Sequence, residues 1–371
     1  MMKICLLGNS DSIHLQRWSR WFVNRGYDVH LITTGTTKIQ GVTSYPLKKT
    51  KNPINYFLRI IKTIRIIRRL KPNIVNAHYA SGTETFAAAL SRRHPFVVIA
   101  WGSDIARDPD KSWLLKTEVK YVLRQADIVH TGDQFGKDRL MQLGCNEDKI
   151  FIMTWGVDLG LFRSKIKSLE KISRYVVLCA APWLPNRNPN ILLMAIPYVI
   201  KELTDITFIF IGGGSLEEKL RATAKKLEIE DHVVFVGKVP HAEMPKYFSI
   251  SDVLVDTDVV GDNAGAGIGV TNMEAMVCGI PILLSEREYL RNAGKSLRDE
   301  SWYCSLVYEP EDSNDLGRKI LTLLKDELLR KKIGEKEMKI AREIGDWNKN
   351  MERIEQLFIE MVKRRLDESK E

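Results

Sequence analysis

The chain has 371 residues, 44% of them hydrophobic and 28% charged, which suits a globular protein long enough for two ordinary domains and excludes disorder as the default. Its apolar runs reach about ten residues, short of the ~20 needed to cross a bilayer, and no early segment has the order of a secretory signal, so neither is expected. The net charge of +9 is uneven: residues 1–165 hold 26 Lys and Arg against 13 Asp and Glu, whereas residues 166–371 hold 30 against 34.

Between Asp28 and Glu84 there is no acidic residue, while ten basic ones fall there, from Lys38 to Lys71. Such a field attracts an anionic partner: a membrane surface, a phosphorylated acceptor or nucleic acid. The five cysteines (Cys5, Cys145, Cys179, Cys278, Cys304) are scattered and never form a CxxC pair. That argues against a disulfide scaffold or a zinc ribbon and for a reducing cytosol.

Lys3 to Gly8 is a short apolar run ending in glycine, read as a buried strand. An amphipathic helix follows at about 12–25 and stops at Arg25-Gly26; then come a strand at 28–32, a helix near 53–70 and a strand at 73–78. Helices at 82–92, 111–124 and 135–143 then alternate with strands at 95–100, 127–131 and 149–153. Apolar strands alternating with amphipathic helices predict a parallel sheet covered on both faces.

The pattern restarts after a polar stretch at about 163–173. Strands are expected at 175–180, 207–211, 232–236, 252–256 and 280–284, with helices at 188–202, 215–227, 241–248 and near 270–278 between them. The tail, about 313–367, reads as purely helical. Two open α/β domains bind ligands at the carboxyl ends of their strands, so a cleft between them is the expected site.

Gly212-Gly213-Gly214 follows a strand and opens a helix, where backbone N–H groups meet a phosphate and the helix dipole favours negative charge. The same glycines also serve strand-to-helix turns for steric reasons, and both readings stay open. The run is neither GxGxxG nor a Walker loop, which disfavours a nicotinamide dehydrogenase or a P-loop enzyme. A second glycine-rich stretch, Gly261 to Gly269, feeds a short helix with one carboxylate, Glu274, in an apolar setting before Gly279 and Pro281. A carboxylate there needs a polar partner; a ribose diol is one candidate and a capping or ion-paired role is the other.

Several further segments, in order, carry a resemblance. They are Asn9 to His14 with Arg17-Trp18, Arg25 to Val29, Asn73 to Tyr79, Trp101-Gly102-Ser103-Asp104, Trp155 to Asp158 with Phe162, Val234 to Gly237, Glu274 to Pro281, and Asp346-Trp347. Over nearly its full length the chain resembles the retaining, nucleotide-sugar-dependent glycosyltransferases of family 4. The resemblance implies an α/β GT-B fold of two Rossmann-like parallel-sheet domains facing a cleft. An acceptor-binding domain at 1–165 and a nucleotide-sugar-binding domain at 166–345 would be followed by a helix, 346–371, crossing back to the first domain.

By the same resemblance Glu274 holds the donor's ribose and Arg187 stands where the family places a diphosphate-gripping lysine, a task its bidentate guanidinium suits. Backbone donors would come from Gly212, Gly213 and Gly214 and from Gly265, Gly267, Ile268, Gly269, Val270 and Thr271. Asp104 and His78 join Arg187 and Glu274 as catalytic candidates, with Ser12, His14 and Trp101 on the acceptor side. The chain departs from the family in three places: Ala266 replaces a second acid, Pro182 an arginine and Trp101 an active-site histidine. The departures motivate a second reading, a non-catalytic nucleotide-sugar or glycan-binding protein; a GT-B sugar-nucleotide epimerase is a nearer alternative.

No metal or other cofactor is expected, the nucleotide sugar being the substrate. Asp256-Thr257-Asp258 looks like the DxD metal signature of GT-A enzymes, but the two-domain pattern argues against that fold, and the seven histidines lack paired-ligand spacing. Read as a helix, 53–70 gathers Ile54, Phe57, Leu58, Ile60, Ile61, Ile64, Ile67 and Leu70 on a broad apolar side, with Arg59, Lys62, Arg65 and Arg69 on the other. That predicts docking on an anionic membrane, alongside an ordinary surface helix as the plainer reading. The expected partners are a nucleotide sugar, a glycan or lipid-linked acceptor and the inner face of a membrane, with a cytoplasmic, peripheral location. Nucleic acid is disfavoured, since Tyr56 and Phe57 are the only stacking aromatics in the basic helix at 53–70.

Overall fold

The computed structural model describes residues 1–48, 52–162, 169–258, 269–286 and 307–368. The chain divides into two compact units. The first runs from Met1 to Thr154 and takes in the tail from Lys349; the second holds the described residues between Trp155 and Asn348.

The first unit is built on a seven-stranded sheet: β1 (Lys3–Gly8), β2 (Asp28–Thr33), β3 (Thr43–Pro46), β4 (Ile74–His78), β5 (Phe96–Ile99), β6 (Ile128–Thr131) and β7 (Ile150–Ile152). All neighbours are parallel, in the order β3-β2-β1-β4-β5-β6-β7. Its helices are α1 (Ile13–Asn24), α2 (Pro53–Leu70), α3 (Thr83–Ser91), the single turns α4 (Ser103–Ala106) and α5 (Asp108–Lys111), α6 (Trp113–Gln125) and α7 (Gln134–Gln142). Both faces of the strands are covered, which is why β4 and β5 are apolar or buried at every position.

Local chemistry sets the boundaries. Asn52 caps α2 by accepting from the Ile54 N–H at 2.9 Å, Pro53 takes the first helical position, and Lys71 ends the helix in the left-handed region ahead of Pro72. The helix expected from 111 begins at Trp113, because the Ser112 hydroxyl caps it through the Leu115 N–H. The edge strand β3 is a departure from the sequence reading: Thr-Ser-Tyr-Pro has little apolar signal, and its pairing with β2 makes it a strand.

The second unit repeats the plan with six parallel strands: β8 (Tyr175–Ala180), β9 (Ile206–Ile211), β10 (Val233–Gly237), β11 (Val253–Val255), β12 (Ile282–Ser285) and β13 (Val307–Tyr308), ordered β10-β9-β8-β11-β12-β13. Around them lie α8 (Asn190–Ile200), α9 (Glu217–Lys226), α10 (Met244–Phe248), α11 (Val270–Val277), α12 (Ser313–Lys325) and α13 (Glu327–Ile344). The helical tail is thus broken at Asp326, whose carboxylate caps α13 through the Leu329 N–H, and again at Gly345 before α14 (Trp347–Glu368).

Trp155 to Phe162 belong with this second unit, ahead of the boundary expected at 165. Val157 N–H donates to the Gly345 carbonyl at 2.6 Å, and Val157 and Phe162 are buried in the core with Leu178 and Met276. From Lys349 the last helix counts with the first unit. Phe358 stacks on Phe22 at 5.4 Å, Tyr27 hydroxyl donates to Glu355 at 2.7 Å, and Arg25 pairs with Glu352 and Glu355.

Candidate functional site

In each sheet the strand order reverses once, beside β1 and β4 in the first unit and beside β8 and β11 in the second. In open α/β sheets, ligands bind outside the carboxyl ends of strands at such a reversal. Gly8 and His78 end the two strands at the first reversal; a Cβ on Gly8 would come within 3.2 Å of the His78 Cβ.

His78 is buried, and its Nδ1 accepts from the Trp101 indole N–H at 3.3 Å. That assigns the ring proton to Nε2, which has no hydrogen-bond partner and lies in a ring set edge-on to Trp18 at 5.1 Å. Burial, with smaller contributions from His130 and His14, holds the imidazole down to about 3, so it is neutral at physiological pH. The half-buried His14 and Trp101 rings lie 4.8 Å apart, so His14, Trp101 and His78 form one cluster with two rings open to solvent. Ser12 stands apart from the cluster's ring contacts as the residue preceding α1, with no side-chain cap bond.

Asp104, a catalytic candidate by resemblance, lies on the single turn α4 after β5. It has no accessible surface, and its carboxylate accepts from the Ala80 N–H at 2.5 Å and the Gly102 N–H at 2.8 Å. Burial pushes its carboxyl up to about 6 against the pull of those donors. It splices the loop after β4 to the loop after β5, which its place in Trp-Gly-Ser-Asp did not reveal.

At the second reversal the loop after β8 carries Arg187 and the segment after β11 carries Asp256, Thr257 and Asp258. Arg187 forms an ion pair with Asp258, and the Thr257 hydroxyl donates to the Arg187 carbonyl at 2.6 Å. Asp256 accepts from the Asn272 amide, and its carbonyl accepts from the buried Tyr308 hydroxyl at 2.9 Å. Both acids of the DxD-like triplet are therefore committed within the protein. Among the described residues no three metal-ligating side chains gather.

Glu274 lies on α11 one turn from Thr271, is 2% exposed, and its Oε1 is 2.6 Å from His241 Nε2. Its polar partner is an imidazole, which the Phe162 ring holds edge-on at 5.5 Å. Gly269, Val270 and Thr271 form the accessible start of the helix, where unpaired N–H groups favour an anion. Gly265, Gly267 and Ile268, together with Ala266, lie outside the described residues.

Two of the three glycines at 212–214 answer to packing. A Cβ on Gly212 would sit 2.0 Å from the Ala181 carbonyl oxygen and one on Gly214 2.4 Å from that of Trp183. Gly213 faces the exposed Lys238, whose Cε lies 3.1 Å from an added Cβ, so the turn carries a cation beside it. Lys238 and His241 were not singled out from the sequence. The available signal was position alone, since Lys238 directly follows strand β10 and His241 lies in the turn after it.

The helix α2 departs from the expected wheel. Ile60, Thr63 and Ile67 are its buried line, whereas Ile54, Phe57 and Leu58 are 71%, 62% and 54% exposed. Lys62, Arg65 and Arg69 are exposed as expected, but Arg59 is not: it is half-buried and paired with Glu84 of α3. Tyr56 turns inward as well, donating to Glu118 at 2.8 Å. The arginine and the tyrosine are drawn in because α3 and α6 present carboxylates that the local pattern cannot reveal.

Residues 3–132 match the family described as Glycosyl transferase 4-like, and residues 163–339 match Glycosyl transferases group 1. A GDP-mannose-dependent alpha-(1-6)-phosphatidylinositol monomannoside mannosyltransferase of Mycolicibacterium smegmatis is 25% identical over 178 residues, 45% of this chain and 46% of that protein. The chain thus spans about half the length of the first curated relatives it matches. A putative glycosyltransferase EpsD of Bacillus subtilis is 24% identical across 87% of this chain and 86% of its own. The Anabaena protein Alr3699/HepE, solved in complex with UDP, superposes with a TM-score of 0.75 over 96% of this chain and 99% of its own at 17% identity, a likeness of fold.

Proposed function

Because the chain belongs to the group 1 glycosyltransferases, we propose that it moves a sugar from a nucleotide-diphosphate-sugar donor to a glycan or lipid-linked acceptor with retention of configuration. The observation that carries the donor side is Glu274, a buried carboxylate set one turn behind the accessible start of α11. A ribose diol offers two O–H donors to such a group.

Transfer needs the leaving diphosphate stabilised by fixed charge and backbone dipoles. Arg187, the exposed Lys238 and the start of α11 supply these in the second unit. The guanidinium is held by Asp258 until an anion competes for it. With Asp256 and Asp258 engaged by Asn272 and Arg187, leaving-group charge falls to these cations, without a metal. Same-face attack guided by the departing phosphate accounts for retention without a protein nucleophile.

On the acceptor side, the half-buried rings of His14 and Trp101 offer flat surfaces for a sugar, over a neutral His78. The exposed Ile54, Phe57 and Leu58 of α2, with Lys62, Arg65 and Arg69, support docking on an anionic cytoplasmic leaflet. No helix among the described residues is long and apolar enough to cross a membrane.

The test is a panel of sugar nucleotides screened for thermal stabilisation, followed by turnover with candidate acceptors. Stabilisation by one nucleotide sugar together with a glycosylated product is the expected result. Binding without turnover across the panel would favour the non-catalytic reading, which stands on Ala266, Pro182 and Trp101. Failure of every donor to bind would sink both.

A further inference from the structure

A cavity of about 910 Å³ opens in the first unit between the loop after β2, the segment after β3 and the first half of α2. Its volume is that of a small-molecule site, and Asp11 with Thr34 to Thr36 places it at the carboxyl ends of β1 and β2. Lys48, Arg59 and Lys62 bring three cations to its wall against one carboxylate, Asp11. That carboxylate is already occupied: Oδ1 accepts from the backbone N–H groups of Thr36 and Thr37 at 2.8 and 2.9 Å and from their hydroxyls at 3.2 and 2.8 Å. Arg59 is fixed in place by Glu84, whereas Lys48 and Lys62 are exposed and have no acidic partner among the described residues.

The wall is not only basic. Leu58, 54% exposed, lines the same cavity, and Phe57 and Ile54 continue the apolar surface toward the start of the helix. Asn55 places the first turn of α2 at the cavity as well, the helix end that favours negative charge. Cations inside and an apolar lip outside fit a ligand with an anionic head and a hydrocarbon tail better than a free sugar or a free ion.

We propose that this cavity takes a phosphoanion carried on an apolar chain, the phosphate that joins an acceptor to its lipid. The assignment rests on the transferase reading for the word acceptor, but the binding itself does not need it. Lys48 and Lys62 meet the phosphate as mobile point charges, and Leu58 meets the first carbons of the tail.

The experiment is calorimetric titration of the full chain with dodecyl phosphate below its micelle-forming concentration, with inorganic phosphate and with the uncharged dodecyl maltoside. UDP and GDP are titrated on the same preparations. Wild type should bind dodecyl phosphate more tightly than either control. The exposed double variant Lys48→Gln/Lys62→Gln should lose about tenfold or more of that affinity, and Leu58→Ser should lose severalfold for dodecyl phosphate while leaving inorganic phosphate unchanged. Equal affinity in the double variant, or inorganic phosphate binding as tightly as the alkyl ester, overturns the assignment. Retained nucleotide binding in the double variant alongside lost alkyl phosphate binding supports it. Absence of nucleotide binding and of donor turnover in wild type would instead strike the transferase reading, with the alkyl phosphate titrations still deciding the cavity.

Discussion

His241 Nε2 and Glu274 Oε1 lie 2.6 Å apart, joining the turn before α10 to the buried carboxylate of α11. The imidazole occupies one oxygen of Glu274 and fixes the plane of its carboxylate. Removing the imidazole leaves a buried carboxylate unsatisfied, so the two residues are coupled.

Glu274→Ala should weaken nucleotide-sugar binding by roughly 1.5–3 kcal/mol, the worth of a hydrogen bond to a charged group. His241→Ala should weaken it less, and His241→Gln should recover part of the loss because an amide N–H reaches the same oxygen. Calorimetry on the folded variants decides. Unchanged donor affinity in Glu274→Ala would remove this residue from the site.

Arg187 is partly exposed and its pairing with Asp258 is partly screened, so Arg187→Ala should cost about 1 kcal/mol of stability or less. Its loss from the leaving-group side should cost turnover about a hundredfold, as for other fixed donors. Steady-state rates against melting temperature separate the two. A large fall in melting temperature with a proportionate fall in rate would make Arg187 a structural residue.

Acid should loosen the first unit. His78 is held down to about 3 and His130 to about 4, both chiefly by burial, against an ordinary value near 6.5. Between pH 6.5 and about 4 the unfolded chain therefore binds protons that the folded one refuses. The stability from these two groups is complete above that window and is lost as pH falls through it. Asp104, raised to about 6, acts in the opposite sense, but two imidazoles outweigh one carboxyl. Calorimetric scans from pH 7 to 4.5 should show a falling transition, with a smaller fall in His130→Gln. A flat profile would refute the burial argument.

Vesicle binding should follow the exposed side of α2. Neutralising Lys62, Arg65 and Arg69 should reduce co-sedimentation with anionic vesicles, at about 1 kcal/mol per charge, and salt should do the same. Phe57→Ser with Leu58→Ser should reduce it independently. Arg59→Gln belongs to another class: it breaks the pair with Glu84 and should lower stability before it lowers membrane affinity. Equal sedimentation with neutral vesicles would sink the docking proposal.

A packing prediction concerns α13. A Cβ on Gly334 would lie 2.1 Å from the Gly279 carbonyl oxygen, which is backbone and has little room to yield. Gly334→Ala should cost about 1–3 kcal/mol, read as a lower urea midpoint. An unchanged midpoint would show that α13 slides freely on that turn.

The sequence by itself determined the alternation of strands and helices, because buried parallel strands must be apolar and their covering helices amphipathic. It also determined the restart near residue 175, the basic character of the first unit and, through short ordered motifs, the family. It could not show β3 or β13, since Thr-Ser-Tyr-Pro and Val-Tyr become strands only by pairing with a neighbour. It singled out Glu274 and Arg187 but not what each holds, because His241 and Asp258 are 33 and 71 residues away and meet them only through the packing of loops around a strand reversal. The same applies to Asp104, whose burial follows from backbone donors on a different loop, and to Arg59, whose charge is answered by a carboxylate on α3. Periodicity fixes which face of an element is apolar; only the tertiary structure decides which polar group has been spent on a neighbour and which is left for a ligand.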